Sequence, residues 1–232
     1  MTDTAPSGGH SVRLQVWRVP IRQVPAALVA GRVMVHRLRR HADLTFAKFL
    51  GTASTTFLPT AATPTRWAAL TCWRNDRPGP AADLTAWWDH HADESATLTL
   101  DPLSTRGSWD RRRPFTVAAG ARRWNGPVVV LTRSTLRLGR TRAFYRAIPA
   151  VATDLRATPG CRAAFGIGEA PLVRQGTVSI WESAEAMTDF AYRTPAHNAV
   201  VAATPQQQWY AEELFTRFAL VSASGTIDGV AL

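Results

Sequence analysis

Alternation of apolar and polar positions divides the chain into two stretches that repeat one order of elements. Residues Arg13 to Val19 alternate as a strand does, and Val24 to Arg40 follows with Val24, Leu28, Val35 and Leu38 on a roughly helical stripe. Arg66 to Trp73 reads as a strand ending in tryptophan. After a polar, proline-containing turn, Asp83 to Asp93 has helical spacing, and Ser95 to Leu100 closes the stretch as a strand. The second stretch begins at Pro127 to Leu138, whose β-branched residues predict a strand. Arg140 to Ala157 predicts a helix that Pro149 should kink or divide. Gln175 to Trp181 is again a strand ending in tryptophan, Ser183 to Tyr192 a helix, and Leu214 to Ala223 a β-rich close.

Each stretch therefore reads β-α-β-β-α-β, the ferredoxin-like unit. The expected fold class is α+β: two tandem ferredoxin-like halves forming an α+β barrel within one chain. The expected divisions are a disordered tail over 1–11, an N-terminal half over 12–110, a linker rich in Arg, Pro and Gly over 111–126, and a C-terminal half over 127–232.

The 232 residues are 46% apolar, enough for a substantial core. No apolar run approaches the ~20 residues that span a bilayer, and the polar start reads as a tail rather than a secretion signal. Cys72 and Cys161 are the only cysteines and lie far apart, so the expected setting is reducing and cytoplasmic. The formal charge is +10, and Lys48 is the only lysine among 27 basic residues. Such a chain suits an anionic membrane surface, an anionic cofactor or nucleic acid. The arginines are dispersed and no zinc-finger or RNP-type motif accompanies them, so nucleic acid is set aside, while peripheral membrane contact stays open. No Ser-His-Asp spacing, phosphate-binding loop or zinc cluster supports hydrolysis or phosphoryl transfer. Phe165 to Glu169 contains Gly-x-Gly, but Pro171 follows and no helix opens. It is not a dinucleotide fingerprint, and a turn or close backbone packing explains its glycines.

Phe165-Gly166-Ile167-Gly168-Glu169-Ala170-Pro171, Gln175 to Trp181, Met187, Phe190, His197 and Trp209 to Phe218 together resemble the C-terminal region of spheroidene monooxygenases. Lys48 to Thr52, Ala92 to Ser95, Gly107-Ser108-Trp109 and Pro114-Phe115 agree in the first half, in the same order. The resemblance implies a haem b (iron) protein that inserts oxygen at an allylic carbon of an acyclic carotenoid. Arg174 and the run Ala53 to Thr56 depart from the family pattern, which leaves another lipophilic substrate open.

Such a protein needs an axial ligand, an apolar slot, cations for two propionates and a distal face open to dioxygen. His10, His36 and His41 lie in the tail or in a basic, exposed-looking stretch, and His90 and His91 sit near Asp89, Asp93 and Glu94 at a helix end. His197 is the candidate metal ligand. Thr194-Pro195 signals a helix start, so His197 falls in its first turn with Val200 and Val201 three and four residues on. Gln175, Thr177 and Ser179 alternate along one strand face and are the candidate catalytic residues. Arg174 and Arg217 are the candidate propionate partners. Trp209, with Trp109, is a candidate pocket wall, and Glu212-Glu213, near an expected helix end, reads as surface charge. With no flavin or nicotinamide motif, electrons would come from a separate donor such as ferredoxin. Two alternatives remain: a haem enzyme of specialised metabolism catalysing dehydration or rearrangement, and a non-catalytic haem- or lipid-binding protein. Assembly into a homo-oligomer is left open.

Overall fold

In the computed structural model, which describes residues 11–54, 58–74, 81–117, 124–170 and 173–232, the chain forms nine strands and five α-helices. Residues 1–10, His10 among them, and 118–123 of the expected linker lie outside the described residues, as do some side chains within the range, including those of His197 and Val201. The first half runs β1 (Ser11–Arg18), α1 (Val24–Leu38), β2 (Leu44–Ala53), β3 (Ala62–Trp73), α2 (Ala81–His91) and β4 (Glu94–Gly107). The second runs β5 (Val128–Leu136), α3 (Thr141–Ala157), β6 (Cys161–Ala170), β7 (Arg174–Trp181), α4 (Ala184–Arg193), α5 (Pro195–Gln207) and β8 (Tyr210–Ile227), with a short β9 (Val230–Ala231).

The strand order is β4-β1-β3-β2-β6-β7-β5-β8, and β8 pairs back onto β4, so eight antiparallel strands close a barrel. Each half contributes the same order of its own strands, as two ferredoxin-like units must when joined edge to edge. The two joints differ in extent. β2 meets β6 over three residue pairs, Gly51 to Ala53 against Gly166 to Gly168. β4 meets β8 over eleven, from Ala96↔Gly225 to Gly107↔Leu214.

Strand alternation sorts the core into layers. Inward residues such as Leu14, Leu70, Leu98, Leu131, Val178 and Phe218 fill the barrel. Outward residues meet helices: Trp17, Ala69 and Trp73 under α1 and α2, and Val128, Val130 and Trp181 under α3 and α4. One hydrogen bond recurs at matching places. Trp73 Nε1 donates to Thr71 Oγ1 and Trp181 Nε1 to Ser179 Oγ, each at 2.9 Å. A local strand feature repeated this closely supports a common origin for the halves.

Four expectations need correction. The buried stripe of α1 is Ala27, Gly31, Met34 and Leu38, and Leu28 is half exposed. Gly31 is required there, since a Cβ would lie 2.2 Å from the Phe49 ring. Pro149 does not divide α3, which runs unbroken over 17 residues. Gly166 and Gly168 lie inside β6 at the narrow joint and not in a turn. Glu212 and Glu213 belong to the 18-residue β8 and not to a helix end.

Candidate functional site

The candidate residues fall on two sides of the second-half sheet. On β7, Val178 and Ile180 point into the barrel, so Gln175, Thr177 and Ser179 share the opposite parity with Trp181, which packs under the helices. The row faces the helix layer and not bulk water. Tyr145 of α3 donates to Gln175 Oε1 at 3.0 Å, and burial pushes the Tyr145 phenol up to about 12, keeping it a donor. The Ser179 oxygen accepts from Trp181, and the side chain is buried.

Across the ladder, Val130 of β5 faces Ser179 on one side and Arg217 of β8 on the other. Arg217 therefore lies on the covered face, with a buried Nε that has no hydrogen-bond partner among the described residues. Trp209 is 4% exposed, packs edge-on against Phe144 at 5.7 Å, and leaves its Nε1 equally unpartnered. Leu136, Ile148, Val200 and Ala203 complete this apolar cluster between the sheet, α3 and α5. An unmade hydrogen bond in such surroundings costs about 1–3 kcal/mol; Trp67 Nε1 and Trp88 Nε1 in the first half are unpartnered in the same way among the described residues.

Helix α5 carries His197 in its first turn, with Thr194 at the N-cap and Pro195 following, as the sequence predicts. The Thr194 hydroxyl turns back to the Phe190 carbonyl at 2.5 Å and does not cap α5. The first half has no counterpart of α5: after His91 the chain passes to β4 at Glu94. Of the other histidines, His91 has Nδ1 on the Trp87 carbonyl at 2.8 Å and its ring stacked on Trp87. His36 is exposed, and His41 sits edge-on to Trp73.

Arg174 is not brought to this face. It is exposed and lies 3.9 Å from Asp110 at the rim of the barrel. There the structure assembles a charge network that sequence reading missed. Arg133, 1% exposed, reaches Glu212 at 2.5 Å and Glu169 at 3.1 Å. Glu169 also accepts from Trp109 Nε1 at 2.9 Å and from Lys48 at 2.5 Å, and Lys48 bonds Asp110. Burial would raise the Glu212 carboxyl. The Arg111 backbone N–H, the Ser108 hydroxyl and Arg133 outweigh it and hold the group at about 2. Asp110 is lowered as well: burial opposes the shift, and Lys48, Arg133 and Arg174 overcome it. Asp110 and Arg111 have positive φ, 52° and 61°, a conformation held by their backbone N–H bonds to Glu212. Trp109 is thus a wall of this network and not of the covered face. Lys48, Trp109, Glu169 and Glu212, quoted above from separate motifs, meet here as a clamp between the halves.

The covered face of the second half is mixed in character. It carries the buried Nε of Arg217 near one end, the indole N–H of Trp209 at the other, and apolar walls to which α5 contributes Val200 and Ala203. Among the described residues no cluster of three or more metal-ligating side chains occurs, and haem asks for a single axial one.

No protein-family model matches the chain. It is 34% identical over 170 residues to the spheroidene monooxygenase of Rhodobacter capsulatus, covering 70% of each chain. To that of Rubrivivax gelatinosus it is 32% identical over 188 residues, covering 79% of this chain and 72% of that one. Among solved structures, an aldoxime dehydratase in complex with butyraldoxime superposes with a TM-score of 0.61 over 91% of this chain and 79% of that one. At 10% identity that likeness shows the fold alone.

Proposed function

The chain belongs to the spheroidene monooxygenase family, and from that premise we propose that it is a haem-dependent monooxygenase of a lipophilic, carotenoid-like substrate, acting at the helix-covered face of its second half. One observation carries the placement. The strand pairings match Trp17 and Trp67 of the first half with Ser134 and Gln175 of the second. Two indoles pack the first face, and two small polar side chains stand in their place on the second.

His197 would hold the iron, and Trp209, beside Val200 and Ala203 of α5, would offer its unpartnered indole N–H to a carboxylate of the group; Arg217 stands roughly 23 Å further along β8 and does not reach the same group. When bound, haem b supplies the activation of dioxygen. The side chains of the face orient and donate. Tyr145 fixes the Gln175 amide by donating to its oxygen, which leaves the amide nitrogen as the donor. Ser179, its oxygen already accepting from Trp181, offers its hydroxyl hydrogen. Thr177 stands between them on the same face. The apolar cluster around Phe144 and Trp209 excludes water and suits a hydrocarbon. The reaction converts C–H to C–OH, consuming dioxygen, two electrons and two protons and releasing water. A separate donor such as ferredoxin would supply the electrons.

The test is an absorption spectrum of protein expressed with a haem precursor, followed by turnover. A Soret band that His197→Ala abolishes without lowering Tm is expected, together with a product 16 mass units heavier formed only with reductant and dioxygen. No Soret band, or a band indifferent to His197→Ala, overturns the haem assignment. A dehydrated product formed without reductant overturns the oxygenation.

A further inference from the structure

We propose that the outward side of α1, with the short 3-10 turn Ile21–Gln23 before it, docks on an anionic lipid bilayer. Ile21, Leu28, Val29 and Val33, at 71, 50, 64 and 44% exposure, are four of the nine most exposed large apolar side chains among the described residues. They gather on one turn and the first ten residues of one helix. Val29 and Val33 also line a groove of about 530 Å³ between α1 and α2, floored by Met34, Leu84, Trp87 and Trp88 and edged by Arg37. The second half of the helix and the residues after it carry Arg32, His36, Arg37, Arg39 and Arg40, all exposed. Among the described residues Arg22, Arg32, Arg37, Arg39 and Arg40 make no ion pair.

Charge selects the occupant. From Ser11 to Ala42 the chain holds seven arginines, two histidines and no acidic residue. A second copy seated on this face would bring like charges together. An anionic bilayer instead offers phosphates to the arginines and hydrocarbon to Ile21, Leu28, Val29 and Val33, the arrangement of an interfacial helix. The half-buried Trp87 at the groove suits headgroup depth. The patch extends beyond the groove at Ile21 and Leu28, so it exceeds the footprint of one bound amphiphile.

The surface belongs to the first half and the candidate site to the second, so this inference stands apart from the haem reading and is tested without turnover. Purified protein is sedimented with vesicles of phosphatidylcholine alone and of phosphatidylcholine with phosphatidylglycerol, at low salt and at 0.5 M salt. Binding to the anionic vesicles alone is expected, and high salt should weaken it. Arg32→Glu with Arg39→Glu and Arg40→Glu should cut partitioning at least tenfold, since each basic side chain at such a surface is worth about a fivefold factor. Val29→Asp with Val33→Asp should cut it comparably. Leu138→Asp, at an exposed site in the second half, should leave it unchanged. Equal binding to both vesicle types, or α1 variants that bind as the parent does, overturns the proposal. So does a concentration-dependent dimer that Val29→Asp with Val33→Asp disrupts while vesicle binding is absent.

Discussion

The two halves use one scaffold for opposite ends. Under α1 and α2 the sheet is tiled with rings: Phe49 lies parallel on Trp67 at 5.3 Å, and Trp17 meets Trp88 at 5.4 Å. Under α3, α4 and α5 the matching strands present Ser134, Gln175, Thr177 and Ser179, with Arg217 beside them. The first face is packed with rings, and its open groove lies between α1 and α2. The second carries polar side chains at the places where the first carries indoles. The difference teaches where to look for chemistry in a duplicated fold: in the half whose covered face carries polar side chains where the other carries rings.

Five substitutions can break or sharpen this contrast. The largest effect is expected from Trp17→Ser, which gives the first half the residue of the second. It should cost about 3–5 kcal/mol in urea denaturation and leave haem uptake per folded molecule unchanged. Equal loss of haem uptake would erase the division of labour. A change in the opposite direction at the other matched pair, Gln175→Trp after Trp67, should reduce the Soret signal at least tenfold, with Tm shifted by only a few degrees. An undiminished signal would place the group elsewhere.

Glu212→Gln tests the clamp that joins the halves. The folded carboxyl titrates at about 2, below its ordinary value of 4.5. The stability it adds is therefore full above about pH 5 and lost as pH falls from 4.5 towards 2. The parent should lose stability through that window, and the variant should show a flatter acid limb in denaturation followed against pH. The smallest effects come from the twin hydrogen bonds. Thr71→Val and Ser179→Ala should each cost about 1 kcal/mol in stability, while turnover falls only for Ser179→Ala. Equal turnover would make Ser179 a purely structural partner of Trp181.

Much of this architecture is legible in the sequence because alternation is a local property. The strands ending at Trp73 and Trp181 and the helix opening at Pro195 all lie where the pattern puts them. What was missed depends on partners distant in the chain. Arg133 looks anomalous in a Val-rich strand, which is a usable signal, but its partners Glu169 and Glu212 are 36 and 79 residues away. Glu212-Glu213 reads as surface charge until β8 is seen to extend through it to the barrel rim. Arg174 and Arg217 read alike in sequence. Only strand parity and the end of β7 put one at the rim and the other beneath the helices.

The unequal joints of the barrel carry a consequence for its birth on the ribosome. The long seam unites Ala96 to Gly107 with Leu214 to Gly225, more than 100 residues later, whereas the other joint is three pairs wide. A nascent chain halted before Tyr210 would own seven of the eight barrel strands and still lack its main fastening, along with Glu212, one of the two carboxylates that bond Arg133. Circularisation thus waits on the last long strand to emerge, and contacts so far apart in sequence make that step slow.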